Sequence, residues 1–158
     1  MTFVAKKSLG QNFLNDDKVI KIIADLGKID SDDVILEVGA GTGNLTEKIL
    51  EQSPKKLFVI EKDQRLALYL NEKFGDKINI FNEDMMKFEY EKYFNDKLII
   101  FGNLPYNIST QILAKWISAK NLDSFCKKFI LMFQKEVADR IIAETNTKNY
   151  GRLSILSN

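Results

Sequence analysis

Short apolar runs alternate with amphipathic helical periods along almost the whole chain, and that alternation leaves few folds open. The runs are Val34 to Val38, Leu57 to Ile60, Ile78 to Phe81, Leu98 to Phe101, Lys128 to Phe133 and Leu153 to Leu156. Helical periods occupy Lys18 to Leu26, Leu45 to Glu51, Gln64 to Phe74, Ile108 to Ser118 and Lys135 to Glu144. A short strand without polar alternation is buried on both faces, so it belongs in a parallel sheet with helices on each side. The pattern predicts one doubly wound α/β domain over residues 1–158. The first helix carries clear punctuation: Asp16-Asp17 open it, Val19, Ile22, Ile23 and Leu26 share a face, and Gly27 ends it.

Composition narrows the chemistry. At 158 residues the chain can bury a real core, and 45% apolar with 28% charged residues is ordinary for a globular protein. No apolar run approaches the roughly 20 residues that span a bilayer, and Met1 to Lys7 lack a secretory apolar region. One cysteine, Cys126, rules out an internal disulfide framework, so a cytoplasmic location is expected. There is no histidine. The commonest general base and metal ligand are thus missing, and neither a metal site nor imidazole catalysis is expected. A net charge of +1 argues neither for nor against a nucleic-acid partner. Lysine pairs stand at Lys6-Lys7, Lys55-Lys56 and Lys127-Lys128. The chain stops just after its sixth strand candidate, an uncovered edge that leads us to expect a truncated product.

Chemistry-bearing residues recur where strands end. Gly39, Gly41 and Gly43 in the turn after the first strand permit close backbone approach to a ligand. Neither the dinucleotide fingerprint nor the P-loop spacing is met. Glu61 follows the second strand at the distance where an acid takes the hydroxyls of a ribose. Asp84, with Glu83 as its competitor, follows the third and can accept from an adenine amine, with Met85 or Ile60 against the ring. After the fourth come Gly102-Asn103-Leu104-Pro105-Tyr106-Asn107-Ile108-Ser109. There Asn103 can accept from an exocyclic amine, Pro105 extends Leu104 so that its carbonyl can do the same, and Tyr106 can stack on a base. Asn107 and Ser109 are expected to cap the following helix, and Trp116 to lie in the core. A dehydrogenase would share the first two features but has no use for the last. An adenosine cofactor with a donor group beside Asn103 fits all four, and S-adenosylmethionine is such a molecule.

With these residues in view, the chain resembles the ribosomal RNA adenine dimethyltransferase family over essentially its whole length. Lys7-Ser8-Leu9-Gly10-Gln11-Asn12-Phe13-Leu14 is similar to that family's N-terminal cofactor motif, and Gly102 to Ser109 to its catalytic motif. The resemblance implies a Rossmann-like class I methyltransferase domain that transfers methyl groups from S-adenosyl-L-methionine to N6 of two adjacent adenosines near the 3′ end of 16S rRNA. The partner would be an immature small ribosomal subunit, and the enzyme a monomer. By the same resemblance, Asn12 and Leu14 close over the cofactor, and Gly39 meets its methionine part, within the turn that includes Gly41. Glu61 holds the ribose, Asp84 the adenine, and Asn103 lies between donor and acceptor, while Lys6-Lys7 stand near the RNA entrance. Family members continue into a further strand, an aromatic-bearing loop and a small helical domain, and by the same resemblance we expect a chain truncated before them. The erythromycin-resistance methylases of 23S rRNA are the nearest alternative; they tend to carry Ile and Lys where this chain has Leu104 and Thr42. A non-catalytic small-subunit assembly factor is a second alternative.

Overall fold

The structure is a computed structural model that describes residues 3–6 and 9–157. Five strands form its sheet: β1 (Val34–Val38), β2 (Lys56–Ile60), β3 (Asn79–Phe81), β4 (Leu98–Asn103) and β5 (Cys126–Met132). All pairings are parallel, in the order β3-β2-β1-β4-β5. The helices are α1 (Asp17–Leu26), before the first strand, α2 (Asn44–Leu50), α3 (Gln64–Phe74), α4 (Ser109–Ile117) and α5 (Leu122–Phe125), between strands, and α6 (Lys135–Ile141) and α7 (Arg152–Ser157), after the last.

Because side chains alternate across a strand, each strand feeds two cores. Ile35, Leu57, Val59, Ile99 and Phe101 join Ile20 and Ile23 of α1, Ile49 of α2 and Leu70 of α3 on one face. Val34, Leu36, Val38, Leu98 and Ile100 join Phe88, Ile112 and Trp116 on the other. Each such fully buried side chain contributes about 1.5–3 kcal/mol relative to exposure.

The strand order reverses beside β1: the chain moves outward through β2 and β3, then returns to place β4 against the other edge of β1. Ligands bind open α/β sheets in the crevice at such a switch point, outside the carboxyl ends of the strands. Register sharpens this. Val38 pairs with both Ile60 and Gly102, so the next residues, Gly39, Glu61 and Asn103, stand at one level, Gly39 and Glu61 just past their strands and Asn103 as the last residue of β4.

Two expectations are corrected. Leu153 to Leu156 are not a strand but part of α7, whose Leu153 packs with Leu113 and Val137. A four-residue apolar run does not distinguish strand from helix, and packing on α4 and α6 decides here. The uncovered strand from which truncation was expected is therefore absent. On α1 the buried residues are Ile20, Ile23 and Ala24, whereas Val19, Ile22 and Leu26 are exposed. Both stripes satisfy helical spacing. Gly27 explains the choice: a Cβ there would come within 2.6 Å of Phe101, so this side of the helix end lies directly on the sheet.

Candidate functional site

The glycine turn is shaped for close approach. Gly39 (φ 73°) and Gly41 (φ 59°) hold left-handed backbone that a side chain would strain. A Cβ on Gly39 would lie 3.6 Å from the Asn103 carbonyl oxygen across the cleft. Gly43 serves packing instead, since a Cβ there would meet Phe74 at 2.6 Å and Leu70 at 2.7 Å.

Glu61, Glu37 and Asp84 line the cleft at this turn, each in a different environment. Glu61 is buried; its Oε2 accepts from the Gly41 N–H at 3.1 Å and its Oε1 from the Asp63 N–H at 2.8 Å. Burial pushes its carboxyl above the usual range despite these bonds. Both oxygens retain acceptor capacity toward a diol. Glu37 lies buried in β1, accepts from the Thr46 hydroxyl at 2.6 Å, and is pushed up to about 7 by its desolvation. Asp84 is half-buried, with Lys62 Nζ at 2.9 Å from Oδ2 and the Met86 N–H at 2.9 Å from Oδ1. The Lys62 hydrogen bond holds its carboxyl below the usual range.

Asp63, at the N-cap of α3, is a hub. Its buried carboxylate accepts from the Arg65 guanidinium (2.7 and 3.1 Å) and backbone N–H, from Gln11 Nε2 at 3.2 Å and from Lys6 Nζ at 3.3 Å. The Arg65 bonds, ahead of the others, hold it far below the ordinary carboxylate range. Lys6, expected near an RNA entrance, is thus ion-paired with Asp63, and Lys7 lies outside the described residues.

Residues 9–14 form a strap along one wall of the cleft. It is pinned at Asp63 through Gln11 and, just before it in the chain, Lys6. It is also pinned at the end of β4 and the loop that follows, where Asn103 Nδ2 donates to the Asn12 carbonyl at 2.8 Å and Asn12 Nδ2 donates to the Tyr106 hydroxyl at 2.6 Å. Gly10 (φ 62°) is pressed against that loop; a Cβ would lie 2.6 Å from Asn107 Oδ1 and 3.1 Å from Pro105 Cβ. At the last residue of the strap, Asn44 Nδ2 donates to the Leu14 carbonyl at 2.8 Å.

One cleft brings together Asn12, Leu14, Gly39, Gly41, Glu61, Asp84, Asn103, Leu104 and Pro105. Met85, Ile60 and Glu83 line it too. Tyr106 stands beside the lining rather than in it, 45% exposed. The Leu104 side chain is buried in the core, and Trp116 likewise. Neither Asn107 nor Ser109 caps α4: Ile108 holds the N-cap position without a side-chain bond, and Ser109 Oγ donates back to the Tyr106 carbonyl at 3.5 Å. The sequence reading assigned no role to Glu37 or Asp63. Glu37 is signalled only by a lone acid in an otherwise apolar strand. Among the described residues, no group of three or more His, Cys, Asp or Glu could hold a metal ion, and no helix is long and apolar enough to cross a membrane.

Known proteins resemble this chain in sequence and fold. The family model for ribosomal RNA adenine dimethylase matches residues 2–158. The chain is 55% identical over 153 residues to the ribosomal RNA small subunit methyltransferase A of Pelagibacter ubique (strain HTCC1062), covering 97% of this chain and 58% of that protein. To the protein of that name from Wolbachia sp. subsp. Brugia malayi (strain TRS) it is 44% identical over 156 residues, covering 96% and 58%. Among solved structures, a dimethyladenosine transferase from Plasmodium falciparum matches with a TM-score of 0.80 at 33% identity, covering 92% of this chain and 51% of that one. The 23S rRNA methyltransferase ErmE matches at 0.72 and 29% identity, covering 92% and 55%. The chain spans a little over half the length of the curated relatives it matches. Sheet order and these likenesses make the fold that of class I S-adenosylmethionine-dependent methyltransferases. Taken with the match along its whole length, they show that the chain belongs to the ribosomal RNA adenine dimethylase family.

Proposed function

We propose that this chain binds S-adenosylmethionine and directs its methyl group to N6 of adenosine, the acceptors being two adjacent adenosines near the 3′ end of 16S rRNA in an immature, cytoplasmic small subunit. The observation that carries this is the convergence of Glu61, Asp84 and Asn103, from the exits of β2, β3 and β4, on one cleft around the Gly39–Gly41 turn. Glu61, buried and with acceptor capacity left on both oxygens, suits a ribose diol. Asp84 suits an adenine amine, and Met85 and Ile60 offer the ring apolar walls. Glu83 is exposed beside it, without the two donors that fix Asp84.

When bound, the cofactor supplies an electrophilic sulfonium methyl. The protein's task is to orient a weak nucleophile, an amine whose lone pair is delocalised into its ring. Asn103 Nδ2 is committed to the Asn12 carbonyl, which leaves Oδ1 as the acceptor for the target amine. The Leu104 carbonyl would take the second N–H, and Tyr106 would stack on the flipped base for about 1–3 kcal/mol. Held by Asn103 Oδ1 and the Leu104 carbonyl, the amine nitrogen would be oriented to accept the methyl group as its bond to sulfur broke, and the proton lost from nitrogen would pass to water.

The ErmE likeness supports a second reading, methylation of 23S rRNA. Higher identity to small-subunit enzymes, together with Leu104 and Thr42, favours 16S rRNA. Incubating the chain with unmethylated small subunits, or with 23S rRNA, and a labelled methyl donor separates the two by mass spectrometry. Dimethyladenosine in 16S rRNA is expected; label in 23S rRNA alone overturns the assignment.

A further inference from the structure

Several hydrogen bonds converge where the exits of β2 and β3 meet. Asn82 Nδ2 donates to the carbonyls of Glu61 (2.8 Å) and Lys62 (3.3 Å), tying one loop to the other. Lys62 is thereby held beside Asp84, and its Nζ reaches Asp84 Oδ2 at 2.9 Å. The other oxygen, Oδ1, accepts from the Met86 N–H at 2.9 Å. With a donor on each oxygen, the carboxylate plane is set and its remaining acceptor capacity is available to the cleft that Asp84 lines.

We propose that Lys62 is a positioning residue for the adenine ring, acting through Asp84 so that the cleft selects a ring with an exocyclic amine over one with a carbonyl at that position. The inference rests on the function proposed above, in which this cleft takes the adenosine part of the cofactor. An ionised carboxylate only accepts hydrogen bonds, so it pairs with an amine and repels a carbonyl oxygen. Lys62 stabilises that ionised form and opposes rotation of the carboxylate toward water. Its own side chain is 59% exposed, against 25% for Asp84, so solvent and salt reach the pair.

Calorimetric titration of the chain with S-adenosylhomocysteine and with S-inosylhomocysteine, which carries a carbonyl in place of the amine, tests this without requiring turnover. The unaltered chain should prefer the first by about tenfold or more, as expected when a polar group is left facing the wrong partner. Lys62→Met should shrink that ratio by about three- to fivefold, the scale of an exposed ion pair, and Lys62→Arg should restore it. Raising the salt concentration should reduce the ratio in the unaltered chain and leave it flat in Lys62→Met. Equal weakening of both ligands, an unchanged ratio, or a salt response that survives Lys62→Met overturns the role of Lys62. Failure of the unaltered chain to bind S-adenosylhomocysteine, or a ratio untouched by Asp84→Asn, overturns the adenosine reading itself.

Discussion

Asn103 has two hydrogen-bonding ends, and the structure commits only one of them: Nδ2 is held by the Asn12 carbonyl. Replacing the side chain removes one hydrogen bond from the strap and the free acceptor from the target amine, and the larger loss is expected in the transfer. Asn103→Ala is expected to bind S-adenosylhomocysteine within about twofold of the unaltered chain and to lose about 10²-fold in methyl transfer, the scale seen when one oriented polar group is removed from a reacting centre. Labelled methyl incorporation beside calorimetry measures both, and wild-type turnover would remove Asn103 from the mechanism. Glu61→Gln should do the reverse and weaken S-adenosylhomocysteine by about tenfold or more. An amide must turn its NH2 toward either the Gly41 or the Asp63 N–H, so one of these donors loses its acceptor. Glu61 and Asn103 were legible in the sequence because Glu61 directly follows an apolar run and Asn103 stands one glycine past another, and parallel register brings those strand ends together. Asp63 was not, because its partners Lys6 and Gln11 lie more than 50 residues away and nothing local signals the contact.

Among elements, the strap shows how a segment without regular structure can be as constrained as a helix. Gly10 combines left-handed backbone with no space for a side chain. Gly10→Ala is expected to cost about 1–2 kcal/mol from the backbone conformation alone, and to displace the strap from Pro105 and Asn107. A fall in methyl transfer greater than the fall in cofactor affinity, measured on a chain that still melts cooperatively, would show that the damage lies at the loop after β4. Equal losses would place it at the cofactor. Strands β1 and β2 and helix α3 were read almost residue for residue, since length, period and caps agree there. α7 was missed because Leu153-Ser154-Ile155-Leu156 is too short to show a period, and its helix is settled by Leu113 and Val137. The face of α1 was misread for the opposite reason: the helix is apolar over so much of its circumference that two stripes fit.

For the molecule as a whole, the buried acids set the response to pH. Glu37 is raised to about 7 by burial and Glu61 is raised in the same direction. Between the ordinary glutamate value and the raised one, the native chain keeps a proton that the unfolded chain has lost, so stability falls as pH rises through that window. For Glu37 the loss is on the order of 3 kcal/mol. Asp33, Asp63 and Asp84 are lowered, so their contribution disappears only as pH falls through and below the ordinary aspartate range. With no histidine to titrate between these limits, Tm should be higher near about pH 5 than near about pH 7.5. Glu37→Gln, which still accepts from Thr46, should flatten the difference in a calorimetric scan; an unchanged slope would clear Glu37 of the effect. The two pins of the strap respond to their surroundings in different ways. The Asp63 pin is largely ionic and loosens as salt is added, whereas the Gly10 and Asn12 pin is made of neutral amide bonds and close packing, which salt hardly touches. This wall of the pocket is therefore held partly by charge and partly by shape, and added salt is expected to slacken the first hold while leaving the second in place.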